Sequence, residues 1–113
     1  MTIMFLKNEL VPDIEVIDVA GQAHRLWDYR QKSHLLLVFG KGAAASDAAL
    51  GGKRKTWDWL GVRVIAAVEP PKGFEAGAYA VDRYGRFIES FPIDDELSER
   101  AEKEFLYYDA RHC

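Results

Sequence analysis

Few side chains in this chain of 113 residues could carry out covalent chemistry. The single cysteine, Cys113, is the last residue, and Arg111 and His112 beside it could lower the pKa of its thiol. A chain terminus gives such a thiol little pre-organisation. Two interpretations stay open: an exposed thiol that oxidises incidentally, and a thiol relay or intermolecular disulfide.

The histidines and the glycine-rich stretch suggest no bound group. His24, His34 and His112 have no metal-ligand spacing, and one cysteine cannot supply a thiolate cluster, so we expect no metal and no cofactor. Gly40-Lys41-Gly42 matches neither the P-loop nor the dinucleotide-binding fingerprint. Lys41 beside a helix N-terminus could attract an anion only weakly.

Composition excludes further classes of function. The formal net charge of −3 argues against a nucleic-acid surface, which needs clustered lysine and arginine. The first residues show neither the basic start nor the long apolar run of a signal peptide, and no stretch is apolar enough to span a membrane. A single cysteine suits a reducing compartment, so we expect a cytoplasmic protein without membrane contact.

The hydrophobic pattern predicts alternating strands and helices that form an α/β sandwich. Leu35–Phe39 is an unbroken apolar run, which is typical of a strand buried on both faces. Trp57 and Trp59 are two residues apart and cannot share a helix face, so one should be core and the other at an edge or interface. The other predicted elements are hairpins at 14–26 and 78–91, a helical turn or two at 27–32, a helix capped by Ser46 or Asp47 and broken at Gly51-Gly52, a strand at 62–68 and an amphipathic helix from 97 to 108.

This order of elements, with its residues, resembles the peroxiredoxin and redoxin branch of the thioredoxin superfamily. The matching stretches are Val11-Pro12-Asp13-Ile14, Gly21 followed by Leu26-Trp27-Asp28-Tyr29-Arg30, the Leu35–Phe39 strand, Gly61-Val62-Arg63-Val64-Ile65-Ala66, and Ala80-Val81-Asp82-Arg83-Tyr84-Gly85-Arg86. The resemblance implies a thioredoxin-like sandwich with a mixed central sheet, an N-terminal hairpin and a C-terminal helix. We expect one domain over residues 1–113, with residues 1–10 as an N-terminal arm.

The residue that carries out the family's chemistry is missing. In the family, a working cysteine lies just after the strand that matches Leu35–Phe39, but here residues 40–48 contain none. Ser46 is the only hydroxyl there, and a serine cannot cycle through a sulfenic acid. The segment Glu75–Ala78 also lacks the proline that usually faces the cysteine. We call residues 40–48 the vacated loop, and its candidate site residues are Lys41, Ala44, Ser46 and Asp47.

The link between the second buried strand and the last hairpin is short. Residues 69–77 include two prolines and cannot hold a helix, so one covering helix of the family should be lost. We therefore expect one face of the sheet to be poorly covered and to bind a partner, most simply a second copy. Ile3-Met4-Phe5-Leu6 and the Trp27 region would contribute. The alternative is that this N-terminal segment folds back and covers the face alone.

These features favour a non-catalytic thioredoxin-fold binding or assembly module, because the family's reactive residue is absent. The alternative is a thiol-dependent antioxidant or oxidoreductase that works through Cys113, as the resemblance would imply for activity. Ligand binding at the vacated loop is a third, weaker option.

Overall fold

A four-stranded mixed sheet forms the centre of the computed structural model, which describes residues 6–112. Helices pack on one face, and a two-stranded hairpin packs on the other. The elements are β1 (Glu15–Ile17), β2 (Ala23–Arg25), a 3₁₀ helix (Leu26–Tyr29), β3 (His34–Phe39), α1 (Ala43–Gly51), α2 (Arg54–Leu60), β4 (Val62–Ala67), β5 (Gly77–Val81), β6 (Phe87–Phe91) and α3 (Leu97–His112).

The sheet order is β4-β3-β5-β6, with β3 parallel to β4 and antiparallel to β5. All six residues of β3 are buried. A strand with neighbours on both sides and a layer on each face has no solvent-facing position, which explains its unbroken apolar run. The expected α/β sandwich with a mixed sheet, hairpin and C-terminal helix is confirmed.

The helical layer follows the predicted periodicity. Leu97, Ala101, Phe105 and Tyr108 form the buried stripe of α3. The break at Gly51-Gly52 separates two helices, and α2 ends at Gly61, whose φ of 72° lies in the left-handed region that glycine adopts without strain. No helix within residues 6–112 is long and apolar enough to cross a bilayer.

The expectation of a poorly covered sheet face is wrong for the described residues. As predicted, no helix separates β4 from β5, but Phe74 from this link packs edge-on against Phe39 and Tyr79. The hairpin and the 3₁₀ helix add Val16 and Leu26 to the same cluster. A bulky loop residue and a docked hairpin thus replace the missing helix. Of the proposed contributors, Ile3, Met4 and Phe5 lie outside the described residues, and Leu6 is exposed.

The predicted start of α1 is also wrong. The helix begins at Ala43, with Gly42 at the N-cap, and neither Ser46 nor Asp47 caps it. The chain turns directly after β3, where the Ala43 N–H donates to the Gly40 carbonyl at 3.1 Å. The alanines therefore join the helix because their propensity is high, and no side-chain cap is needed to start it.

Candidate functional site

The loop between β3 and α1 lies at the carboxyl end of the central strand. Gly40 has a φ of +129°, and a Cβ built there would lie 3.1 Å from the Cβ of Ala76. The loop therefore contacts the segment that precedes β5 very closely. These are the two segments on which the family resemblance would place the reactive cysteine and the proline that faces it, and here they meet through a glycine and an alanine.

The residues of the vacated loop do not converge on one pocket. Lys41 and Ala44 are exposed. Ser46 lines a shallow groove of about 330 Å³ beside Ile93. Asp47 lines a separate cavity of about 380 Å³, whose other charged walls are Arg54, Asp58 and Arg63. Ser46 and Asp47 therefore line different pockets, although they are adjacent in the chain.

No described histidine can activate Ser46. His34 lies at the opposite end of β3 from the loop, and six residues of extended strand span about 20 Å. His24 lies in β2, where both of its ring nitrogens are engaged. A serine needs an adjacent base to become a nucleophile, and neither described histidine supplies one. Asp94 and Asp95 share the groove with Ser46, but Asp94 is bound to Arg100.

A buried polar cluster surrounds His34, which is fully buried. Its Nδ1 accepts a hydrogen bond from the backbone N–H of Arg83 at 3.0 Å, so the ring proton lies on Nε2, which is 3.3 Å from Asp109 Oδ1. The Arg83 guanidinium lies 3.2 Å from Nε2. Burial, and then the charge of Arg83, lower the pKa of His34 against the opposing effect of Asp109.

Asp82 links the β5–β6 turn to α3. One carboxylate oxygen accepts the backbone N–H groups of Tyr84 and Arg86 at 2.9 Å, and the other accepts the Tyr108 hydroxyl at 2.9 Å. Burial, with this hydrogen bond and the Asp82 charge, raises the pKa of Tyr108 to about 12. Tyr108 is therefore a neutral donor at physiological pH, which holds the last turns of α3 against the sheet.

A second polar cluster closes the N-terminal hairpin. His24 Nε2 lies 2.6 Å from Asp18 Oδ2, and His24 Nδ1 lies 2.7 Å from the Tyr29 hydroxyl. Burial raises the pKa of Asp18, but hydrogen bonds from His24 and from the N–H groups of Gln22 and Ala20 lower it by more, so the net pKa is lowered. The geometry resembles an oriented acid–base relay. Asp18 and His24 belong to the hairpin and Tyr29 belongs to the 3₁₀ helix, so the hydrogen bonds among them join these two elements.

The sequence analysis did not predict the polar groups around His34 and Asp82 or the cluster around His24. His34 and Asp82 are 48 positions apart, and no spacing rule connects them. The available signal was a histidine at the start of a strand that had to be buried, since a buried imidazole needs partners for both nitrogens.

Cys113 and its proposed redox role lie outside the described residues. Within those residues, no group of three histidine, cysteine, aspartate or glutamate side chains is placed to hold a metal ion.

Comparison with known proteins identifies the architecture alone. No protein-family model and no curated protein matches the chain. Among solved structures, it is similar to a protein assigned as thiol:disulfide interchange protein DsbE from Chlorobium tepidum, with a TM-score of 0.69, 15% identity, and coverage of 92% of this chain and 98% of that one. The peroxidoxin BcpB from Mycobacterium tuberculosis gives a TM-score of 0.67 at 10% identity, covering 95% and 98%.

An uncharacterized thioredoxin-like protein from Bacteroides vulgatus covers the whole of both chains, with a TM-score of 0.59 and 14% identity. The chain has a thioredoxin-like fold. The structural similarity establishes the thioredoxin-like architecture. At identities this low it does not establish the chemistry, which has to be argued from the residues of the site. In this thioredoxin-like chain, the loop after the central strand carries glycine, lysine and alanine and contains no thiol.

Proposed function

We propose that this chain is a non-catalytic thioredoxin-fold module that works by binding or assembly. The observation that carries the proposal is the loop after β3, where residues 40–48 contain no cysteine and Gly40 lies against Ala76. Thiol peroxidases and disulfide oxidoreductases act through a thiolate at this position in the resemblance described above. Without it, the fold supplies surfaces, not a reaction.

Assembly is the more specific part of the proposal. We expect the protein to act as a homodimer in the cytoplasm. A single cysteine suits a reducing compartment, and the exposed side chains of Trp59 and Leu106 line one groove, which offers apolar surface to a partner.

Peroxide turnover with an external thiol reductant tests the absence of catalysis. The wild type and Cys113→Ala are compared, and intact mass is followed in parallel. We expect no turnover in either protein, with Cys113 oxidising only as slowly as a free thiol. Turnover that disappears in Cys113→Ala would overturn the proposal and support the alternative, an antioxidant that works through Cys113.

A Ser46→Ala variant completes the assay. No described histidine lies beside Ser46, so Ser46→Ala should leave peroxide turnover and the oxidation of Cys113 unchanged. Loss of a measurable activity in this variant would show that the vacated loop is catalytic after all.

A further inference from the structure

The two tryptophans of α2 differ sharply in their exposure to solvent. Trp57 is 3% exposed and its Nε1–H donates to the Leu50 carbonyl at 3.0 Å, so it belongs to the core. Trp59, two residues further along the same helix, is 77% exposed. Exposed tryptophan is costly to solvate and is enriched among the residues that dominate protein interfaces.

Trp59 forms one wall of a groove between α2 and α3, which we call the α2–α3 groove. Its volume is about 370 Å³, which is enough for an indole ring, and Trp59 and the half-exposed Leu106 supply exposed apolar surface, whereas Leu60 is buried. The six lining residues are Lys55, Thr56, Trp59, Leu60, Glu102 and Leu106.

The rim of the groove carries charges of both signs. Lys55 lies on α2 and has no ion-pair partner among residues 6–112, whereas Glu102 lies on α3 and is 3.7 Å from Lys53 Nζ. A two-fold symmetric interface uses the same patch on both subunits, so a patch that contains both a projection and a recess, and both a cation and an anion, can complement itself. The α2–α3 groove contains all four.

We propose that the α2–α3 groove binds a second copy of this chain, with each Trp59 indole inserted into the groove of the other copy. Lys55 of each copy then faces Glu102 of its partner across the rim. This inference rests on the assembly function proposed above and names its surface. A covered tryptophan buries about 150–250 Å², and two of them, with Leu106 on each side, form the apolar centre that hot-spot residues usually occupy.

Sedimentation equilibrium over a concentration range of about three orders of magnitude tests the proposal. We expect a reversible dimer for the wild type and a dissociation constant raised about 30-fold or more for Trp59→Ala, since central aromatic anchors have effects of this size. Ile17→Ala is the matched control, because Ile17 is 53% exposed on β1, in the hairpin that covers the other face of the sheet. A wild type that stays monomeric, or a Trp59→Ala variant that dimerises as tightly as the wild type, would overturn the proposal.

Charge reversal tests the predicted pairing. Lys55→Glu and Glu102→Lys should each weaken the dimer, and the double variant should recover most of the loss because the opposite charges meet again. A double variant weaker than either single variant would contradict this geometry. Thermal melts of all variants confirm that an exposed substitution has left the fold intact.

The two proposals can fail separately. A wild-type dimer that Trp59→Ala leaves intact would remove the α2–α3 groove as the interface and keep the homodimer. A monomeric wild type without peroxide turnover would remove both the groove and the homodimer and leave a non-catalytic module that binds another partner. Turnover that persists in monomeric Trp59→Ala would remove the non-catalytic function, and sedimentation alone would then decide the interface.

Discussion

The backbone N–H of Arg83 donates a hydrogen bond to Nδ1 of His34, and 3.0 Å separates the two nitrogens. A protonated imidazole carries a proton on both nitrogens and cannot accept this bond. His34 is fully buried, so it has no water to replace the lost partner. The structure therefore holds this histidine neutral, with its Nε2 proton directed at Asp109.

This arrangement predicts acid sensitivity. The folded state lowers the pKa of His34 below its ordinary value of 6.5, so the unfolded chain binds the proton first. The stabilisation is present above about pH 6.5 and is lost as the pH falls towards the folded pKa, with a slope that approaches about 1.4 kcal/mol per pH unit. Urea denaturation at several pH values measures it.

His34→Gln provides the comparison, because an amide does not titrate in this range. The variant will be less stable at neutral pH, but its stability should fall less steeply than that of the wild type between pH 7 and 5. Parallel curves for the two proteins would show that His34 does not cause the acid sensitivity.

Tyr108→Phe removes one of the three hydrogen bonds that Asp82 accepts. The buried carboxylate is left partly unsatisfied, which costs about 1–3 kcal/mol in the free energy of unfolding. Tyr84→Phe is the control, because Tyr84 is half exposed, and it should change stability by less than about 0.5 kcal/mol. Equal effects of the two substitutions in urea denaturation would argue against the Asp82–Tyr108 bond.

The same residue predicts a loss of stability in alkali. Tyr108 has its pKa raised from 10.0 to about 12, so the unfolded chain releases this proton first as the pH rises. The contribution of Tyr108 is complete below about pH 10 and is lost as the pH approaches 12. In denaturation between pH 9 and 12, Tyr108→Phe should lose stability less steeply than the wild type, and an equally steep loss would contradict the raised pKa.

Local patterns predicted the parts of the fold that depend on burial alone. The run Leu35–Phe39 predicted a strand covered on both faces, and the stripe from Leu97 to Tyr108 predicted an amphipathic helix, and the structure confirms both. The cover of the second face could not be predicted, because it depends on where the Phe74 side chain lies in a link without regular structure. The His34 and Asp82 clusters depend on long-range pairing, which sequence spacing does not encode.

Substitution by alanine should lower the free energy of unfolding at Gly40 but not at Gly51. Gly40→Ala forces an alanine to a φ of +129° and brings its Cβ within 3.1 Å of Ala76, so it should destabilise the fold by about 1–3 kcal/mol. Gly51→Ala meets nothing within 4 Å at the end of α1 and should be neutral or stabilising by up to about 1 kcal/mol. Denaturation midpoints decide, and a tolerated Gly40→Ala would refute the close contact.

The N-terminal turn of α1 should provide the electrostatics that a reactive thiol needs. Ala44 is exposed in that turn, where the partial positive charge of the helix end stabilises a thiolate. In a Cys113→Ala background, Ala44→Cys should therefore give a thiol whose pKa lies below the free value of about 8.5. The rate of alkylation by iodoacetamide as a function of pH measures this pKa.

Ala48→Cys in the same background is the matched control, since Ala48 is also exposed but lies one turn further along α1. The effect of the helix end declines within the first turn, so this thiol should titrate close to the free value. A lower pKa at position 44 would mean that this helix end can stabilise a thiolate. Equal pKa values at both positions would mean that it does not.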